Sequence, residues 1–372
     1  MAINGSTLGI ALSGGGFRAT LFSLGSLWRL NDAGLLGKLD RVTSVSGGSI
    51  LAGIVASRWK NLQFVDGRAA NFVSEIVTPT QTFCADSADI EAGILGWITP
   101  FKSAGDYLRG HYEDALFGDM LLRDIPAPDV DGNPTFIFYA TNMQTGRNFR
   151  MRQDYIADSR LGVSRHTELT LAAAVTASSA FPPIFSPIIL KTDPADWQDE
   201  GGLGGLADDV DSLRKKIILA DGGIYDNMGL ESLIGHIDIA LISDAGAPFG
   251  VESSIRSDPF SQLGRVRDIL IDQTRALRKR HVIDEFDAGR RRGGYWGIGT
   301  RIGKYQAANA LAIDNATSLS LEAEPTRLAK IEPERQGQLI NWGYALSDAA
   351  LRVRAQLTLP PVTQLPLPQY PL

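Results

Sequence analysis

Cysteine is nearly missing from this chain: Cys84 is the single one in 372 residues. One thiol cannot close an internal disulfide, and there is no Cys cluster to hold zinc or an iron–sulfur centre, so a reducing cytosol is the default compartment. Histidine is scarce as well, with only His111, His166, His236 and His281. None of them follows a late strand as a Ser-His-Asp hydrolase requires, and each reads as a surface or capping residue rather than a base. Positive charge is not in excess either. Against 36 Lys and Arg stand 42 Asp and Glu, a net charge of −6, which leaves no electrostatic footprint for nucleic acid. The first residues show no basic stretch followed by a longer apolar one, so no secretion signal is expected. The longest uncharged run, Leu171–Leu190, contains Pro182, Pro183 and Pro187, and so predicts a core helix, a turn and a strand rather than a lipid-spanning helix. No internal repeat and no shift in composition marks a second domain.

What remains is the composition of a soluble globular protein, 44% apolar and 21% charged, long enough for one large α/β domain or two ordinary ones. The chain is organised around Val42–Ser57, VTSVSGGSILAGIVAS. It reads as a buried strand that stops at Ser46 and restarts as a helix behind a glycine pair. A serine used to attack an acyl carbon must stand clear of its own backbone on such a strained turn, where only small neighbours leave room. The following helix points its free N–H groups at the negative charge that develops. An ordinary Ser/Gly-rich βα loop is the alternative.

Upstream, Leu8–Leu12 predicts a strand that runs into Gly14, Gly15 and Gly16, with an amphipathic helix from Phe17 onward. Glycines at a helix N-terminus can hold an anion, either a phosphate or the oxyanion of a tetrahedral intermediate. A P-loop would continue with Gly-Lys-Ser/Thr. Here Phe17-Arg18-Ala19-Thr20 follows. Downstream, Thr135–Thr141 and Asn148–Arg152 predict a hairpin, Glu168–Ala180 a small-residue helix, and Ser186–Leu190, Lys216–Ala220 and Ile237–Ile242 strands. Asp221-Gly222-Gly223 follows the second of these three strands, so its acid is presented at a sheet edge; a turn closed by its own Asp is the alternative.

Between residues 64 and 128, helices over Phe64–Val77 and Tyr107–Leu122 and an apolar loop at Ile94–Phe101 with Trp97 predict a cap that shapes a pocket. Phe260–Phe286 predicts a long helix whose arginines, with acids interspersed, form a solvated face; a membrane-surface patch is the second reading. Helical stretches near Pro325–Leu328 and over Arg335–Leu357 close the fold, and residues 358–372 form a Pro-rich tail.

The glycine loop, the serine turn and the Asp-Gly-Gly loop all follow strands, and a doubly wound sheet gathers such loops at one edge. With no histidine placed as a base, the Asp221 carboxylate is the candidate to take the Ser46 proton directly. At its ordinary pKa of about 3.9 it is a weak base, which partial burial would strengthen.

Four motifs, in order, carry a family resemblance: Ser13-Gly14-Gly15-Gly16-Phe17-Arg18, Ser44-Val45-Ser46-Gly47-Gly48-Ser49, Ala177-Ser178-Ser179-Ala180-Phe181-Pro182-Pro183, and Asp221-Gly222-Gly223. Over roughly Leu8 to Asp244 the chain resembles the patatin-like phospholipases and the bacterial relatives of cytosolic phospholipase A2. That resemblance implies a three-layer α/β/α, doubly wound, mostly parallel sheet in a single catalytic domain over 8–357, with the cap-like insertion 64–128 and C-terminal helices 260–357. It implies a Ser–Asp dyad that cleaves fatty-acyl esters through an acyl-enzyme, with neither metal nor cofactor. Carried over residue by residue, Ser46 is the nucleophile and Asp221 the base. Gly14, Gly15 and Gly16 supply oxyanion N–H groups with help from Gly47, and Arg18 meets a lipid phosphate. The implied partner is a phospholipid or other fatty-acyl lipid, met by a cytoplasmic protein with peripheral membrane contact. Ala19 and Ser44 stand where the family usually has glycine, which leaves subfamily and headgroup open. A hydrolase of soluble acyl esters, and a phosphate- or nucleotide-binding regulator using Gly14–Gly16, are the alternatives.

Overall fold

The computed structural model describes residues 5–86, 103–165, 168–200, 210–246 and 248–372. Strand β1 (Leu8–Leu12) is buried along its whole length and has a parallel neighbour on each side, β2 (Arg41–Val45) and β12 (Ile239–Asp244). That is why LGIAL reads as a continuous apolar run rather than an alternating one. Hairpin β3 (Phe64–Val65) and β4 (Arg68–Ala69) stands apart from the main sheet. The parallel core continues through β5 (Thr135–Asn142) beside β2 and β13 (Arg292–Gly297) beside β12. Beyond β5 the sheet becomes an antiparallel meander of β6 (Arg147–Met151), β7 (Ile156–Asp158), β8 (Gly162–Ser164) and β10 (Trp197–Gln198). Among the described residues the sheet has 11 strands.

The two remaining strands explain the site. β9 (Ile188–Lys191) pairs antiparallel with β11 (Lys216–Asp221), and β11 pairs antiparallel with β5. Residues 140–142 of β5 bond β11 and β6, while 138–139 bond β2 and β6. Since a strand has two edges, β2 and β11 lie along the same edge of β5 and run toward each other. Their C-terminal ends, Val45 and Asp221, meet head to head.

Period-2 alternation separates the layers. Leu8, Ile10 and Leu12 face a large core with Ile239 and Leu241, while Ala11, Ala240 and Ile242 face a smaller one formed with Met228, Leu230, Leu233, Ile237 and Val282. The thick layer holds α1 (Gly16–Asp32), α2 (Gly47–Arg58), the Leu171–Ser179 helix and the Pro333–Val353 helix. α1 is buried from Gly16 to Asn31. Its crossing with the C-terminal helix is close enough that a Cβ on Gly343 would lie 1.9 Å from the Phe22 carbonyl oxygen. The Pro-rich tail lies back on that helix, where the Asn341 amide donates to the carbonyls of Leu367 and Tyr370 at 2.8 and 2.7 Å.

Several expectations change. Phe64–Val77 is the β3–β4 hairpin followed by a π-helical turn at Val73–Val77. Asp66 and Gly67 both have positive φ, 50° and 82°, and Asp-Gly in that conformation is a hairpin signal. The helix expected over Tyr107–Leu122 starts earlier, at Ala104, and passes through a π-turn to end at Gly118. No helix spans Pro325–Leu328; short helices Ala316–Ser320 and Leu321–Ala323 precede it. The described parts of 64–128 pack on the main core. Phe72, Ile76, Phe83, Leu108, Tyr112 and Phe117 are all buried in the main core. The Ile94–Phe101 loop lies outside the described residues. Leu171–Leu190 does resolve into a core helix, a turn and strand β9.

Candidate active site

Ser46 sits between β2 and α2 with φ 52° and ψ −121°, a conformation that costs a non-glycine residue about 1–3 kcal/mol and persists only where its surroundings enforce it. A chain of hydroxyls does the enforcing. The Ser46 N–H donates to Ser178 Oγ at 3.0 Å, Ser178 and Ser49 share a bond of 2.8 Å, Ser49 Oγ donates to Ser44 Oγ at 2.9 Å, and Ser44 Oγ donates to the Ile137 carbonyl at 3.2 Å. Because Ser49 spends its proton on Ser44, Ser178 must donate to Ser49, and every hydroxyl is satisfied. Ser44 is thus a member of this chain rather than a tolerated misfit.

The same short segment holds the acid. The Asp221 N–H donates to the Ala180 carbonyl at 3.0 Å and the Gly222 N–H to the Ser178 carbonyl at 3.2 Å. Residues 178–180 therefore clamp the serine turn with a side chain and the acid loop with two carbonyls. One Asp221 oxygen, Oδ1, accepts the Gly223 N–H at 2.7 Å. Burial raises the Asp221 pKa from the ordinary carboxylate range to about 6, despite the opposing influence of the Gly223 N–H and the neighbouring Ser46 side chain. The group is ionised at neutral pH and is a far better base than a solvated aspartate.

Ser46, Asp221, Gly15, Gly16, Gly223 and Asn227 line one cavity of about 460 Å³. Among the described residues no histidine lines it; His166 lies outside the described residues. Glycine at 16 and 47 is a steric necessity. A Cβ on Gly47 would fall 2.0 Å from the Gly16 carbonyl oxygen, and one on Gly16 2.3 Å from that of Arg327. This contact sets the N-termini of α1 and α2 side by side at the serine, and the first N–H groups of each helix have no partner in their own ladder.

The four glycines are not equivalent. The Gly14 N–H is already donated to the Asn227 carbonyl at 2.9 Å, and the Phe17 N–H to that of Arg327 at 3.0 Å. Gly14 therefore has no amide to offer an oxyanion, and a phosphate cradle would find two of the loop's successive donors taken. Gly15, Gly16 and Gly47 remain. Arg18 does not line the cavity. Its guanidinium is buried and bonds the carbonyls of Glu322, Glu324 and Ala245, fastening the glycine loop to the 322–327 segment. The cations on the cavity are Arg265, Arg267 and Arg275, which pair with Glu252, Asp268 and Asp244.

Asn227 is the residue the sequence reading passed over. Besides holding Gly14 with its carbonyl, it puts its carboxamide into the cavity, close enough that a Cβ on Gly14 would meet it at 2.4 Å and the Ser46 Cβ at 3.1 Å. Its position six residues after Asp221, in the same loop, was the available signal.

The family model for the patatin-like phospholipases matches residues 10–234. No curated protein matches the chain. Among solved structures, human GIVD cytosolic phospholipase A2 bound to methyl gamma-linolenyl fluorophosphonate and terbium chloride aligns with 92% of this chain at 13% identity, TM-score 0.53. A second structure of that protein aligns with 94% at 14% identity, TM-score 0.50. The chain spans 58% and 63% of the chain in those two structures, and at such identity the likeness is one of fold.

Proposed function

This chain belongs to the patatin-like phospholipase family, and on that premise we propose that it is a serine lipid acyl hydrolase of the phospholipase A or lysophospholipase type. The observation that carries the reading is that Ser46 and a buried Asp221, whose pKa is raised to about 6, line one cavity where the ends of β2 and β11 meet. Ser46 Oγ attacks the acyl carbon while its proton passes to Asp221. The tetrahedral oxyanion is held by the N–H groups of Gly15 and Gly16 with that of Gly47, each such donor typically contributing about 2.7–4 kcal/mol to the transition state. Collapse releases the alcohol, which takes its proton from Asp221, and leaves an acyl-enzyme. Water, deprotonated by the same carboxylate, attacks the acyl-enzyme, and collapse releases the fatty acid as the Ser46 oxygen takes the proton back from Asp221.

The test is hydrolysis of a p-nitrophenyl acyl ester and of phospholipid. Both reactions are lost in Ser46→Ala and Asp221→Asn and survive replacement of all four histidines; inactivity of the histidine-free, folded protein contradicts the dyad. A series of chain lengths at fixed headgroup separates lipid from soluble-ester hydrolysis, because each buried methylene adds about 0.8 kcal/mol.

A further inference from the structure

The Pro259–Asp287 helix is 29 residues long, yet Val282 is its one buried residue. It is held near its C-terminus by Val282, Ile283 and Phe286 in the smaller core, and midway by Arg275 on Asp244 and Arg278 on Asp226. At about 100° per residue, Arg265, Asp268, Asp272 and Arg275 fall on one face, and these residues line the Ser46 cavity. Leu263, Val266, Leu270 and Leu277 fall on the opposite face and are exposed by 67, 50, 61 and 58%. N-terminal to Val282 the helix is amphipathic inside out, with most of its charges turned toward the protein and its apolar stripe toward solvent; in its last turns Val282, Ile283 and Phe286 face inward and Asp284 is exposed. From Pro259 to His281 the outward face also carries Gln262, Gln273, Arg280 and His281 but no acid; Asp268 and Asp272 are both on the cavity side.

An apolar stripe left in water gains none of the burial free energy that normally fixes such a helix. Up to His281, a stripe of leucines bordered by Arg267 and Arg280, with Asp268 and Asp272 on the far side and Asp284 one turn beyond, has the polarity of a helix lying in an anionic lipid–water interface. The apolar surface also reaches the cavity lip, where Phe181 and Phe249 are partly exposed and Val251, between the cavity-lining Gly250 and Glu252, is 93% exposed. We propose that the outer face of this helix docks the protein on an anionic lipid surface, bringing the cavity lip to the lipid from which the acyl chain is drawn. The choice of lipid as the occupant rests on the hydrolase reading.

The test uses full-length Ser46→Ala, which leaves vesicles intact, sedimented with phosphatidylcholine vesicles with and without phosphatidylglycerol. The protein binds the anionic vesicles, and adding Leu263→Ser, Leu270→Ser and Leu277→Ser weakens that binding roughly tenfold or more. With Ser46 intact, the same triple substitution leaves turnover of a short soluble ester unchanged and lowers hydrolysis of vesicle lipid. As a second readout, an environment-sensitive fluorophore on Leu270→Cys shifts to the blue when vesicles are added, Cys84 being buried. No binding of anionic vesicles, or equal binding by the triple variant, overturns the proposal. So does a dimer that the triple substitution converts to monomer while vesicle binding stays unchanged. Vesicle binding lost with the leucines in a protein that hydrolyses no ester supports the docking face and contradicts the hydrolase reading alone.

Discussion

Ser46 and Asp221 line the same cavity because β2 and β11 run head-on along one edge of β5, each ending where the other ends. Sheet topology thus delivers a serine and a buried carboxylate to one point. The carboxylate's burial has consequences for pH, for stability and for the loops that hold it.

Activity follows the ionised form of Asp221, so kcat/KM for a neutral soluble ester rises through about pH 6 and is flat above it. A pH–rate profile without this acid limb, or with one near the ordinary carboxylate value, contradicts the assignment. Stability runs the opposite way. Between the unfolded carboxyl pKa of about 3.9 and the folded value of about 6, the folded protein holds a proton the unfolded chain has lost. Stability therefore falls as pH rises through that window, and the deficit is complete above it. Asp221→Asn, which keeps an acceptor for the Gly223 N–H, abolishes activity yet stabilises the protein above that window by on the order of 1–3 kcal/mol. The gain disappears below about pH 4, as urea denaturation at the two pH values checks.

The backbone of Ser46 at φ 52° predicts a contrast between two inactive variants. Ser46→Gly relieves the strain and is more stable than wild type by about 1 kcal/mol, whereas Ser46→Ala, which keeps a Cβ at positive φ, is not. Equal melting temperatures for the two variants would show that the turn is unstrained.

Removing the Ser178 hydroxyl leaves the Ser46 N–H without its acceptor and breaks the Ser178–Ser49 link. Ser178→Ala costs about 1–3 kcal/mol for the orphaned donor, and the displaced nucleophile lowers kcat roughly tenfold or more with little change in KM. Ser178→Thr, which restores a hydroxyl, recovers most of kcat. A fall in KM alone, or no recovery, contradicts the clamp.

Asn227→Ala separates two uses of that residue. Its carbonyl on Gly14 is backbone and survives, so the fold is retained, while loss of the carboxamide beside Ser46 lowers kcat about tenfold. Unchanged kcat would make the carboxamide a mere wall of the cavity.

The parallel core and the serine turn were legible because each rests on a local pattern: an unbroken apolar strand in Leu8–Leu12, and small residues around Ser46 where a side chain would collide. What was illegible depends on partners distant in sequence. β13 begins in an arginine run and contains Gly293, whose Cβ would lie 1.9 Å from the Ala240 carbonyl oxygen; no strand is expected there from the sequence. Arg18 read as a phosphate ligand because the carbonyls that occupy it come from residues 245, 322 and 324, beyond the motifs that carry the resemblance. Gly14 read like its neighbours until Asn227 was found on its amide. The long helix was expected at the right place, but which of its faces met the protein depended on Asp226 and Asp244.

The most direct measurement of the central claim is the mass of the intact protein after exposure to a fluorophosphonate, with the adduct mapped by peptide sequencing at pH 5 and pH 8. A single adduct on Ser46, forming faster at the higher pH, in wild type and in the histidine-free protein and absent in Asp221→Asn, is the expected result. An adduct on any other residue, or undiminished labelling of Ser46 in Asp221→Asn, would contradict direct proton transfer from Ser46 to Asp221.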